Sequence, residues 1–172
     1  MERLWSPWRL AYVTGATGLS KTVCVFCDAL DPSTGDTHGQ LVLVRGRVSY
    51  VILNRYPYNN GHLLITANRH VATLSDATPD ELVEMMRFTR DAEIALTEAY
   101  QPHGLNVGIN LGRPAGAGIV DHLHIHVVPR WNGDTNFMSI VGNVRVLPEE
   151  LDETARRLRP IFERLQKETR PT

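Results

Sequence analysis

Apolar and polar positions alternate with two different periods along this chain, and the switches between them mark its elements. In "QLVLVRGRVSYVILNRYP" (40–57), β-branched and apolar residues flank Arg45-Gly46-Arg47, which predicts two strands around a tight turn. "YPYNNG" (56–61) is a further turn, and "HLLITA" (62–67) a third strand. The period then lengthens. Leu82, Met85, Thr89, Ala92 and Leu96 fall on one stripe, which predicts a helix from about 79 to 100, with Met85 and Met86 in its core-facing surface. Thr78 suits its N-cap, Pro79 its first turn, and Glu81 completes a T-x-x-E capping box. "GLNVGIN" (104–110) and "HLHIHVVP" (122–129) return to strand character, joined by the small-residue loop "GRPAGAG". In the tail, Leu151, Ala155, Leu158, Phe162 and Leu165 share one face, so a second helix is expected, kinked or split near Pro160.

Strands, long helix, strands, helix is the order of an α+β fold with a largely antiparallel five-stranded sheet, a long central helix and a C-terminal helix. The 172 residues suit one domain: an N-terminal arm (1–22), a core (23–147) and a helical tail (148–172). Trp5 and Trp8 in the arm call for an apolar surface to cover, on their own domain or on another subunit. "ALDPSTGDTHGQ" (29–40) reads as a loop.

Composition adds exclusions. A formal net charge of −1 argues against a broad nucleic-acid or membrane-surface partner, although a small anion needs only a few donors. No apolar run approaches the roughly 18 residues of a membrane span. "MERLWSPWRL" lacks the apolar core of a signal peptide, so a cytoplasmic location is expected. In that reducing compartment the two cysteines, Cys24 and Cys27 in a C-x-x-C spacing, read as metal ligands or a redox pair before a structural disulfide.

The densest chemistry is in "DHLHIHVVPR" (121–130), which holds three of the seven histidines. On a strand, His122, His124 and His126 share one face about 7 Å apart, while Leu123, Ile125 and Val127 point into the core. Pro129 is expected to end the ladder. Clustered imidazoles serve a three-histidine metal site, acid–base work near neutral pH, or nucleophilic attack, and alternation does not choose among them. The preceding loop "NLGRPAGAG" (110–118) can offer backbone N–H groups to an anion, including those of Gly116, Ala117 and Gly118. An anion pocket beside a nucleophile suggests phosphoryl or nucleotidyl transfer.

"HLHIHVV" resembles the alternating signature of the histidine-triad (HIT) family. "CVFC", "LNRYPYNNGHLLITANRH", the capped helix, "GLNVGINLG" and "DHLHIHVVPRW" follow in that family's order. "LWSPWRLAYV" and "PRWNGDTNFM" are similar to a bacterial branch associated with diadenosine tetraphosphate phosphorylase (ATP adenylyltransferase) activity. The resemblance implies the histidine-triad fold, with His124 as nucleophile toward the α-phosphorus and a nucleotidyl-histidine intermediate released by inorganic phosphate or water. It implies that His126 contacts phosphate, that His122 helps hold the central imidazole, and that Asn54 binds the ribose. Asn110 corresponds to a phosphate-side polar residue and His62 to a fourth histidine near the site. Arg130 could pair a phosphate, and Trp131 could stack on a second base or serve an interface or the core. One departure is visible: many members carry Ser or Thr shortly before the first triad histidine, where this chain has Ala117 and Gly118, so backbone donors remain without a hydroxyl.

The same resemblance implies a structural zinc held by Cys24, Cys27, His70 and His122. It also implies a homodimer pairing long helices and a strand, or a tetramer using the Trp5/Trp8 arm. The implied partners are a dinucleoside polyphosphate and inorganic phosphate, with phosphorolysis of diadenosine tetraphosphate to ADP and ATP as the leading activity. The alternatives are a hydrolase or phosphoramidase of the same family, a non-catalytic nucleotide-sensing module, and a three-histidine metalloenzyme.

Overall fold

In a computed structural model the described residues are 24–31, 40–134 and 149–169; Trp5, Trp8 and the rest of the arm lie outside them. Five strands form one antiparallel sheet in the order β1-β2-β3-β5-β4. They are β1 (Val42–Arg45), β2 (Ser49–Leu53), β3 (Leu63–Ala67), β4 (Gly104–Ile109) and β5 (His124–Arg130). A one-turn helix α1 (Val25–Asp28) precedes them, α2 (Pro79–Tyr100) separates β3 from β4, and α3 (Leu151–Thr169) follows β5. This is the α+β architecture expected from the sequence.

Helix α2 packs on one face of the sheet, against β2, β3 and β5. Val51, Ile65, Ile125 and Ile109 lie in one row across four strands, and Leu53, Leu63, Val127 and Val107 in another. They share the face on which α2 packs. The neighbouring rows, Tyr50–Thr66–His124 and Ile52–Leu64–His126–Gly108, point the other way. The histidines are thus placed by the pleat that sends Ile125 and Val127 into the core.

The capping box at α2 is formed: the Thr78 hydroxyl accepts from the Glu81 N–H, and the Glu81 carboxylate accepts from the Thr78 N–H at 2.7 Å. Glu81 also takes a bidentate pair from Arg69, the neighbour of His70, and these bonds hold its carboxyl down at about 2. The buried side of α2 is wider than the sequence stripe. Phe88 and Ala95 join Met85, Thr89, Ala92 and Leu96, whereas Leu82 is only half-buried. Met86, expected in the core, is 61% exposed because it lies on the opposite side of the helix from that face.

Glu84 is buried for a reason that apolar periodicity does not reveal. Its carboxylate accepts from the N–H groups of Arg47, Val48 and Ser49 and from the Ser49 hydroxyl, at 2.7–3.0 Å, clamping the β1–β2 turn. Gly46 is needed there, since a Cβ would lie 2.7 Å from both Glu84 Oε2 and Phe88.

Three other expectations change. β5 starts at His124, not His122. Pro129 does not end the ladder but pairs opposite Leu105. Its carbonyl accepts from Asn59 Nδ2 at 2.8 Å on the side where β3 has already ended, so the missing N–H costs no bond to β4. Pro160 does not split α3, which is one helix from Leu151 to Thr169; Pro160 is exposed, and the buried Leu158 and Phe162 anchor the chain on either side.

Candidate active site and metal cluster

The protons of His122 and His124 are each located by a main-chain carbonyl, which can only accept, and that of His126 by a chain of bonds that begins at a backbone N–H. His124, 5% exposed, lies 2.7 Å from the main-chain carbonyl of His122 through Nδ1. A carbonyl only accepts, so Nδ1 carries the proton and Nε2 the lone pair. Burial lowers the pKa of His124, the bond to the His122 carbonyl opposing this only in part, so the imidazole is neutral at pH 7. A neutral ring with a fixed Nδ1–H and a bare Nε2 is the form able to attack an electrophile.

A second chain of bonds sets His126. The Tyr58 N–H donates to His62 Nδ1 at 3.1 Å, and a backbone N–H can only donate. His62 is therefore protonated on Nε2, which lies 3.0 Å from His126 Nδ1. In the neutral state His126 accepts at Nδ1 and presents Nε2–H outward as a donor. His62 is 1% exposed, and burial, reinforced by the positive charge His126 or His124 would carry, lowers its pKa well below the ordinary value. The Tyr58 ring lies parallel to His126 at 5.9 Å and 11°. The His124 and His126 rings meet edge to face at 4.9 Å. The His126 row ends on β4 at Gly108, which has no side chain, so the space beside His126 stays open.

His122 faces away from this pair. Its Nε2–H donates to the Ala67 carbonyl at 3.0 Å, leaving Nδ1 as a lone pair aimed at the two thiols. Cys24 Sγ lies 3.3 Å and Cys27 Sγ 3.7 Å from that nitrogen, and Cys27 Sγ lies 3.3 Å from His70 Nδ1. The four ligand atoms are all within 4.8 Å of one another. Tetrahedral zinc, with bonds of about 2.3 Å to sulfur and about 2.0–2.1 Å to nitrogen, would place neighbouring ligand atoms roughly 3.5 Å apart. The spacing and the donor set both fit a metal ion. Burial and the adjacent Cys24 push the Cys27 thiol up to about 11, so two ionised thiolates here call for a cation. The cluster is assembled by bonds between segments distant in sequence: Leu123 N–H donates to the Val71 carbonyl, and Thr66 Oγ1 to the Leu123 carbonyl.

The remaining sequence candidates fall around this centre. Asn54 is tied locally, its Oδ1 accepting from the Tyr56 N–H and its Nδ2 lying 3.2 Å from His62 Nδ1. Asn110 directly follows Ile109, the partner of Ile125 on β5. In the loop before the triad, the N–H groups of Gly116 and Ala117 bond to the carbonyls of Arg113 and Gly112. Gly118 follows them and is exposed. Trp131 is half-buried on the loop after β5, its N–H donating to Asp134 Oδ2. Arg130 makes a bidentate ion pair with Asp134 and donates to Asn106, so its fork is engaged within the protein. Reasoning from sequence missed two residues: Tyr58, whose N–H fixes the His62 tautomer, and Phe26, whose ring lies 5.1 Å from His124. Both are aromatics inside motifs already marked by Cys or His, and that is the signal that could have found them.

Comparison with known proteins agrees with this geometry. The HIT domain model matches residues 38–133. The AP-4-A phosphorylase of Mycobacterium tuberculosis (strain ATCC 25618 / H37Rv) is 42% identical over 164 residues, spanning 92% of this chain and 83% of that protein. The asymmetrical bis(5'-nucleosyl)-tetraphosphatase of Schizosaccharomyces pombe is 32% identical over 96 residues, 56% of this chain and 52% of that one. Among solved structures, a zinc-bound histidine triad family protein from Mycobacterium smegmatis superposes with TM-score 0.68 and 28% identity over 87% of this chain and 99% of that one. With the matched segment running from β1 through the whole triad, the chain belongs to the HIT domain family.

Proposed function

We propose that this protein is a nucleotidyl transferase that cleaves dinucleoside polyphosphates by phosphorolysis, with His124 as the nucleophile. The observation that carries the reading is the His124 tautomer: a buried neutral ring, its proton held by the His122 carbonyl, with Nε2 left bare. The similarity to a protein named AP-4-A phosphorylase, at 42% identity across most of both chains, supports phosphate over water as the acceptor.

In the first step Nε2 of His124 forms a bond to the α-phosphorus of diadenosine tetraphosphate while the P–O bond to the remaining ATP breaks. His126 Nε2–H donates to a phosphate oxygen as its charge grows. In the second step an oxygen of inorganic phosphate attacks the adenylyl-histidine, the N–P bond breaks, and ADP leaves with the His124 lone pair restored. Dividing one difficult displacement into two easier ones is what covalent catalysis provides. Asn54 is assigned to the ribose, exchanging its local contacts to Tyr56 and His62 for it, and Asn110 and Gly118 to the phosphates; the N–H groups of Gly116 and Ala117 are held by the Arg113 and Gly112 carbonyls and shape that loop. Trp131 is assigned to the second base.

Cys24, Cys27, His70 and His122 are assigned to one zinc ion. All four positions are protein ligands, so its role is structural. When bound, it ties the N-terminal segment to the start of β5 and supplies no open coordination position. The exposed apolar side chains Val83, Met86 and Ile94 of α2, with Val107 on the edge strand β4, are assigned to a homodimer contact.

Incubation with diadenosine tetraphosphate, with and without inorganic phosphate, followed by chromatography, tests the reaction. Phosphate-dependent ADP plus ATP is expected. AMP plus ATP formed without phosphate would make it a hydrolase, and no turnover would reject the substrate.

A further inference from the structure

The turn that carries the two thiols also carries an aromatic ring that neither the metal cluster nor the proposed chemistry uses. Phe26 sits between Cys24 and Cys27 and is 2% exposed. Its ring meets His122 edge to face at 5.2 Å and 70°, and lies against His124 at 5.1 Å and 49°. One side chain therefore touches both the metal-facing histidine and the proposed nucleophile. Its backbone is fixed as well: the buried Tyr50 hydroxyl, from the same row of β2 as His124, donates to the Phe26 carbonyl at 2.6 Å. The two thiols anchor the turn on either side, through contacts of 3.3 Å to His122 and His70.

We propose that Phe26 is a positioning residue for His124: its ring, held by the Cys24–Cys27 turn and by Tyr50, restricts the nucleophile's ring so that Nε2 stays aimed at the substrate. The His122 carbonyl bond fixes where the His124 proton sits but leaves the imidazole free to rock about that bond; His126 bounds this rocking edge to face at 4.9 Å, and the tilted ring of Phe26 bounds it at 5.1 Å. The C-x-x-C turn thereby acts on the reaction without any ligand atom reaching the substrate. This rests on His124 being the nucleophile.

The test compares wild-type protein, purified with its metal, with Phe26→Leu, which keeps apolar volume and removes the ring. Three quantities are read: metal content, the histidine ring signals in proton–carbon NMR spectra, and kcat and KM for diadenosine tetraphosphate with phosphate. Metal content is expected to stay at the wild-type level while the His124 ring signals shift and the exposed His103 signals do not. kcat is expected to fall about tenfold with KM changed by less than about twofold, since misplacing a reacting group costs rate rather than binding. Tyr50→Phe, which deletes only the hydroxyl that holds the Phe26 carbonyl, should move the same signals in the same direction with a smaller loss of kcat; it also decides the matter if Phe26→Leu does not fold. Unmoved His124 signals, an unchanged kcat, or a loss confined to KM would overturn the proposal. The NMR comparison needs no substrate, so an inactive wild-type protein would refute the assigned reaction while the ring signals still decide the role of Phe26.

Discussion

Replacing His62 by Phe tests whether the proton on His126 is placed by its neighbours. The substitution keeps a buried ring at a position 1% exposed but deletes both nitrogens. Three contacts are lost, those from the Tyr58 N–H at 3.1 Å and Asn54 Nδ2 at 3.2 Å to Nδ1 and the one to His126 Nδ1 at 3.0 Å. The half-buried Tyr58 N–H is left without its acceptor, which costs about 1 kcal/mol of stability, at the low end of the range because water can reach it. The catalytic cost is larger. Without a donor at Nδ1, His126 no longer keeps its own proton on Nε2, and the bond it makes to a charged phosphate is compromised. Such a bond contributes roughly 1.5–3 kcal/mol, which translates into a fall in kcat of about 10- to 150-fold. His62→Gln should recover part of the loss, because its amide supplies an acceptor and a donor. The assay is kcat for phosphorolysis together with nitrogen-15 shifts of the His126 ring, which report the tautomer directly. If His62→Phe leaves both the tautomer and kcat unchanged, the relay has no part in catalysis.

The buried imidazoles also set the response to pH. Burial lowers the pKa values of His62 and His124 in the folded protein, so below about 6.5 the unfolded chain takes up protons first. Stability is therefore complete above about pH 6.5 and declines as pH falls below it, checked by urea midpoints between pH 8 and pH 5; a midpoint unchanged over that range would contradict the assignment. Metal analysis should find one zinc per chain, and chelation should lower the melting temperature of the whole domain because the cluster joins three segments. In Cys27→Ser the metal should be weakened or lost. Met86→Glu, on the exposed side of α2, should turn a dimer into a monomer by light scattering with stability little changed, whereas a monomeric wild-type protein would refute that contact.

The parts of this fold that were legible in the sequence are those governed by period. Alternation in β5 separates Ile125 and Val127 from His124 and His126, and the capping box at Thr78 starts α2 where its residues specify. What escaped depends on contacts between distant segments. Glu84 lies outside the apolar stripe of α2, and its burial comes from the β1–β2 turn, which brings three N–H groups to it. Pro129 reads as a terminator until β3 is seen to end before it. Asn54 and the loop N–H groups of Gly116 and Ala117 read as free to meet a ligand, yet each is engaged locally. Met86 lies outside the buried arc of α2, because a helical stripe tells which residues align but not how far that arc extends. The four residues of the metal cluster are legible only through the family resemblance; two cysteines alone do not identify His70 and His122.

The claim most in need of direct test is that Nε2 of His124 becomes covalently bound to the nucleotide. Wild-type protein mixed with diadenosine tetraphosphate in the absence of phosphate, quenched rapidly and examined by intact-mass and peptide mass spectrometry, should carry one adenylyl group on His124, released as ADP when phosphate is added. His124→Ala should carry none. A wild-type protein that turns the substrate over at full rate with no adduct at any time, or one whose adduct maps to another residue, would contradict the account.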